Sequence, residues 1–86
     1  MALQVENIYF LLYAAGANTT PADCKSIKLT APIANAAAVV ITDSKGGIWN
    51  LVAGETLEFA AELSCVLGQI TVTPGAGDTC KVAYIG

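Results

Sequence analysis

Few side chains in this sequence are suited to acid–base chemistry. The chain has 86 residues, with seven acidic side chains and no histidine, so the usual proton shuttle of enzymes is missing. Glu58 and Glu62 stand four residues apart in "LEFAAE". On a strand they share one face with about 13 Å between their backbones. That is too far for the two carboxylates of a retaining glycosidase and barely compatible with an inverting one. We interpret them as solvated acids that discourage aggregation between strands.

The cysteines do not form a recognisable site either. Cys24, Cys65 and Cys80 are an odd number and lie far apart in the sequence, which argues against a closed disulfide framework. Three reduced, buried thiols are favoured over one disulfide with a free thiol. Asp23 raises rather than lowers the pKa of a neighbouring thiol, and a structural zinc site is excluded by the spacing and the missing histidine. Likewise "PGAGD" lacks the Lys and the Ser or Thr of a phosphate loop. We expect no catalytic residue, no metal and no cofactor, and a small hydrolase is the least favoured alternative.

The composition favours a protein that hides part of its surface in an assembly. Apolar residues make up 55% of the chain and charged residues 13%, whereas about 25% charged is typical. The net charge is −3, and the four lysines are scattered singly, so neither nucleic acid nor an anionic membrane is an expected partner. A subunit of an oligomer or of a larger assembly is the expected state.

The hydrophobic pattern has a period close to two, which predicts half-buried strands. Such segments include "SIKLT" at 26–30, "LEFAAE" at 57–62, "QITVT" at 69–73 and "TCKVAYI" at 79–85. "TDSKGG" at 42–47 predicts a hairpin with a G1 bulge, and the run at 34–40 is assigned to strand because "VVIT" follows it. We predict one all-β domain over residues 1–86, a small antiparallel β-sandwich or jelly-roll-like barrel of about seven short strands.

The segment "ENIYFLLYAAGA" at 6–17 is the most unusual part of the sequence. A signal peptide needs a basic residue before its apolar run, and none precedes this segment. The segment is also too short for a membrane helix. As a strand it has two apolar faces, so both faces should be covered. We assign Ile8, Phe10 and Leu12 to the protein's own core and the opposite face (Tyr9, Leu11 and Tyr13) to a partner interface, although the two faces can be exchanged. Residues 1–7 are a possible extended arm.

Trp49, the only tryptophan, has two interpretations. Trp49 and Leu51 share one face of the predicted strand, and Ile48, Asn50 and Val52 share the other. Because the polar residue Asn50 lies on the other face, the core is the favoured location of Trp49. Alternatively, Trp49 beside Asn50 and Asp43 forms an aromatic platform of a carbohydrate- or receptor-binding module of a phage fibre or tail.

A longer pattern resembles a known class of protein. The segment "IKLTAPIANAAAVVITDSKGGIWNLVAGETLEF" and the later "GQITVTPGAGDTCKVAYIG" resemble small decoration (cement) proteins of tailed-phage heads and related all-β virion proteins. The resemblance covers residues 24–86 and is one of style rather than of a catalytic motif. It implies a non-enzymatic capsid decoration protein, a homo-oligomer and most often a trimer. Such a protein is made in the bacterial cytoplasm and sits on the outer capsid surface of the virion, where it binds between major capsid protein subunits.

Overall fold

Alternating segments of this chain form strands throughout the residues that the structure describes. The structure is a computed structural model and describes residues 7–62 and 65–86. Within them the chain forms eight strands and no helix. The strands are β1 (Ile8–Tyr13), β2 (Asn18–Thr19), β3 (Ser26–Thr30), β4 (Val39–Thr42), β5 (Ile48–Leu51), β6 (Thr56–Ala60), β7 (Thr71–Thr73) and β8 (Cys80–Ile85).

The strands build two antiparallel sheets of four strands, which form a β-sandwich. In the first sheet, here sheet A, the order is β1-β8-β3-β6; in the second, sheet B, it is β2-β7-β4-β5. Strands β1 and β6 are therefore the edges of sheet A, and β2 and β5 are the edges of sheet B. The all-β prediction and the sandwich are confirmed.

The core lies between the two sheets and is filled mainly by every second residue of the central strands. Leu29 lies opposite Val82 in sheet A, and Ile41 lies opposite Val72 in sheet B. Burying each such side chain contributes about 1.5–3 kcal/mol. The buried cluster consists of Ile27, Leu29, Ala31, Val39, Ile41, Leu51, Val72, Cys80 and Val82.

The predicted hairpin joins β4 to β5. Both Lys45 and Gly47 donate their backbone N–H groups to one carboxylate oxygen of Asp43, at 2.8 and 2.7 Å. Gly46 has a φ of 85°, a conformation that a residue with a Cβ rarely adopts. The side chain of Asp43 thus satisfies the turn, as its position in the sequence predicted.

At another point of the fold, buried Asp78 holds two loops together. Its carboxylate oxygens accept the backbone N–H groups of Ala36 and Ala37 at 2.9 and 3.0 Å. Beside it, Asn35 donates to the carbonyl of Thr79 at 2.7 Å and accepts the Thr79 N–H at 3.1 Å. These bonds fasten residues 35–37 to residues 78–79, and we call them the Asp78 clamp.

Several predicted boundaries differ from the structure. Strand β4 begins only at Val39, so the assignment of residues 34–38 to a strand is wrong; the Asp78 clamp takes the N–H groups that a neighbouring strand would need. The segments at 57–62 and 69–73 form shorter strands than predicted. Strand β2, with two residues, was not predicted because so short a segment has no periodicity. The possible arm, apart from Asn7, lies outside the described residues.

Candidate interaction surface

Strand β1 is an edge strand, and its register against β8 decides which side chains face the core. Leu11 lies opposite Val82 and Tyr13 opposite Cys80, and both of those partners are buried. Opposed residues in an antiparallel pair project from the same face. Tyr9, Leu11 and Tyr13 therefore lie on the inner face of sheet A.

The other three side chains of β1 lie on the outer face and are exposed to solvent. The exposed fraction is 62% for Ile8, 78% for Phe10 and 64% for Leu12. The assignment of these three residues to the core is therefore wrong, and Tyr9, Leu11 and Tyr13 are the side chains of β1 on the core side. Because both faces of β1 are apolar, the alternation of the sequence carried no information on this choice; the pairing with β8 made it.

The inner face of β1 is partly covered by the chain itself. The ring of Tyr9 stacks on that of Tyr84 with 5.0 Å between centroids. The Tyr13 hydroxyl donates to the carbonyl of Thr19 at 3.2 Å, and burial, with Tyr84 as a second cause, raises the pKa of Tyr13. Tyr9 and Leu11 keep 43% and 36% of their surfaces exposed. A partner role for Tyr9, Leu11 and Tyr13 stays a prediction.

On the outer face of sheet A, a shallow groove of 410 Å³ runs beside β1. At its centre the row across the sheet is Phe10, Ala83 and Lys28, and the small side chain of Ala83 leaves the depression between its two larger neighbours. Lys81 lines the groove as well. Phe10 and Leu12 line one side of this groove and Lys28 and Lys81 the other. We call the groove, together with exposed Ile8 next to it on β1, the β1 groove.

A second uncovered apolar surface lies between the two sheets near β5. Leu51 is buried, which confirms its predicted core position, but Trp49 is 57% exposed. Its ring points to the inner side, since it lies opposite buried Ile41, yet edge strand β5 leaves it half uncovered. Trp49 and Phe59 of the facing sheet line a cleft of 340 Å³, with Asp43 also in its lining. The prediction that Trp49 faces the core side of its sheet is thus correct, but the prediction that it is buried in the core is wrong.

The side chains that the sequence offered for chemistry are not brought together. Over residues 7–62 and 65–86, no group of three His, Cys, Asp or Glu side chains is placed to hold a metal ion. All three cysteines are free thiols, with Cys24 and Cys80 buried and Cys65 exposed, so the expectation that all three are buried is wrong for Cys65. Burial raises the pKa of the Cys24 and Cys80 thiols, and for Cys24 the charge of Asp23 adds to the effect.

The described part of the chain contains no helix of the length and hydrophobicity required to cross a membrane. Comparisons with protein-family models, with curated proteins and with solved structures gave no significant match. A functional proposal therefore depends on the geometry of the chain and on the resemblance in its sequence pattern.

Proposed function

We propose that this chain is a non-enzymatic structural subunit of a phage virion that decorates the capsid and stabilises it by binding between major capsid protein subunits. The observation that carries the proposal is the β1 groove. Three large apolar side chains stand exposed in a row on one strand, and clusters of this kind mark contact surfaces. The resemblance of residues 24–86 to decoration proteins supplies the kind of partner.

The β1 groove also suggests the character of the partner surface. Its apolar side would pack on apolar side chains of the capsid, while Lys28 and Lys81 would face acidic groups at the rim, where charge complementarity favours the correct register. Capsid lattices present the same junction many times, so a modest affinity at each site accumulates when the subunit is an oligomer. The resemblance implies a trimer as that oligomer.

The proposal is tested by co-sedimentation with capsid shells assembled from the major capsid protein encoded in the same phage genome. We expect saturable binding, with a fixed number of copies per shell, and a higher temperature of shell disruption when the chain is bound. Phe10→Ser should weaken binding strongly, because Phe10 is the most exposed apolar side chain of the β1 groove.

A matched control is Ile33→Ser, which changes an equally exposed apolar residue (87% exposed) on a loop outside the β1 groove. It should bind shells as the wild type does. If wild-type protein stays in the supernatant at every shell concentration, the capsid assignment is wrong. If Ile33→Ser and Phe10→Ser weaken binding equally, the β1 groove is not the contact.

A second candidate function, carbohydrate binding by a fibre or tail module, is favoured by the exposure of Trp49. Aromatic rings at the mouth of a cleft, with a carboxylate nearby, are able to hold the apolar face of a sugar ring and one of its hydroxyls. Titration of Trp49 fluorescence with a panel of mono- and disaccharides tests this alternative. A saturable change that Asp43→Asn abolishes would support it, and a flat response to every sugar would remove it.

A further inference from the structure

The free edge of β1 carries backbone groups that no strand of the described residues pairs with. The carbonyl of Asn7 accepts the N–H of Gly86 at 3.3 Å, and Ile8 lies opposite Ile85. Residues of an antiparallel pair alternate between bonding toward the partner strand and pointing away from it. The N–H and C=O groups of Tyr9, Leu11 and Tyr13 therefore point to β8, and those of Ile8, Phe10 and Leu12 point outward.

The other three sheet edges are protected in ways that β1 is not. Edge strand β6 has Glu58 at its centre, β5 has four residues with polar Asn50 among them, and β2 has only two residues. Strand β1 has six residues and contains neither a charge nor a proline. Proteins normally block long apolar edges with such devices, and an edge without them is suited to pairing with another strand.

We propose that the occupant of this edge is the β1 strand of a second copy of this chain, paired antiparallel across a two-fold axis at Phe10. In that register Ile8 of each copy lies opposite Leu12 of the other, and the two Phe10 residues lie opposite each other. The outward-pointing groups of three residues on each strand then form about six backbone hydrogen bonds. The result is one continuous eight-stranded sheet.

A second copy fits this edge better than an unrelated strand because β1 is complementary to itself. All three cross-strand pairs on the outer face are large and apolar, and Tyr9 meets Leu11 on the inner face. No like charges are opposed, which in an antiparallel pair of identical strands would be destabilising. Each β1 has a single free edge, so the contact closes at two copies and excludes further growth. The trimer implied by the resemblance would need a different surface.

The available area sets the strength of this pairing. The exposed fractions of the five residues from Ile8 to Leu12 amount to nearly three complete large side chains. At 150–250 Å² each, this is about 500 Å² per copy. Two copies therefore offer at most about 1,000 Å², because the outward side of Ile8, Phe10 and Leu12 stays available to the capsid, and the contact lies at the lower limit for a specific interface. We expect a concentration-dependent dimer with a dissociation constant on the order of micromolar.

Dimerisation goes beyond capsid binding and is tested without any capsid. Sedimentation equilibrium of the full chain over a wide concentration range should approach twice the monomer mass of 8.8 kDa. Phe10→Lys places two like charges on the axis and should raise the dissociation constant about a hundredfold or more. A mass that stays at one chain, or that reaches three chains, would overturn the inference.

A charge-pair experiment tests the register. Ile8→Lys alone should weaken the dimer, whereas the double substitution Ile8→Lys with Leu12→Glu puts an introduced lysine of each copy opposite an introduced glutamate of the other. The double variant should recover most of the lost affinity at low salt. Within one chain the two positions lie about 13 Å apart on the strand, so rescue cannot come from the monomer. Failure of rescue would overturn the proposed register.

Cross-linking gives an independent readout. In a Cys65→Ser background, Phe10→Cys brings two thiols onto the axis at a Cα separation of about 5.5 Å, which a disulfide can span. Leu12→Cys is a matched control, because residue 12 of one copy lies about 15 Å from residue 12 of the other. Only Phe10→Cys should oxidise rapidly to a dimer. Equal cross-linking of both variants, or of neither, contradicts the pairing. A dimer that ignores capsid shells would refute the proposed function and leave this inference intact.

Discussion

Replacing Asp78 should lower the stability of the protein more than replacing Asp43, another acidic residue that accepts two backbone N–H groups. Asp78 is only 6% exposed, and its two oxygens accept the N–H groups of Ala36 and Ala37. A hydrogen bond to a charged group contributes about 1.5–3 kcal/mol. Ala36 and Ala37 are themselves exposed, so water can rehydrate their N–H groups when the carboxylate is removed. We therefore expect Asp78→Ala to lower the free energy of unfolding by about 2–3 kcal/mol.

Asp43 provides a matched control for this prediction. It also accepts two backbone N–H groups, from Lys45 and Gly47, but it lies in an exposed hairpin turn. Water competes for those bonds in the folded protein, so Asp43→Ala should cost about 1 kcal/mol or less. Asp78→Asn, which keeps one acceptor oxygen, should fall between the two.

Urea denaturation followed by circular dichroism measures all three variants. The midpoint should shift while the slope with urea stays constant, because the surface exposed on unfolding hardly changes. If Asp78→Ala loses no more stability than Asp43→Ala, the Asp78 clamp does not hold the two loops and the reasoning fails. A changed slope would show instead that residues 35–37 detach in the variant before the sandwich unfolds.

Three further predictions concern the thiols and aromatic rings. The folded state raises the pKa of Cys24, Cys80 and Tyr13. The folded state therefore holds more protons than the unfolded state at alkaline pH. The free energy of unfolding should be highest below the ordinary thiol pKa of 9.0 and should fall as the pH rises beyond it. Urea midpoints that do not decrease between pH 8 and pH 10.5 would contradict this. A thiol reagent should modify Cys65 at once in native protein and reach the two buried cysteines only after unfolding, so three equivalents reacting at the same rate would be inconsistent with the fold. Because Trp49 is half exposed, its fluorescence maximum should lie near the wavelength of a solvated indole, and iodide should quench it. Fluorescence that iodide does not quench would contradict this exposure.

The described structure shows that much of the fold follows from local patterns in the chain. Strand β3 occupies the predicted residues 26–30, because its apolar and polar side chains alternate without interruption. The β4–β5 hairpin is also local, since Asp43 and Gly46 satisfy the turn within a few residues. The conformation of residues 34–38, which we predicted as strand, does not follow from a local pattern. These residues are alanine-rich and do not alternate, and the carboxylate of Asp78, more than 40 residues away, holds them in place.

Period-two alternation and turn residues act locally, so the all-β character of the chain and its exceptionally apolar first strand are evident from the residues alone. Which face of that strand is exposed depends instead on its pairing with a distant strand. Tyr9, Leu11 and Tyr13 lie inward because they are in register with buried Val82 and Cys80, and β-pairing over some 70 residues is not encoded in a strand whose two faces are equally hydrophobic. The same pairing leaves Ile8, Phe10 and Leu12 on the outer face, at an edge where only another strand can complete the sheet.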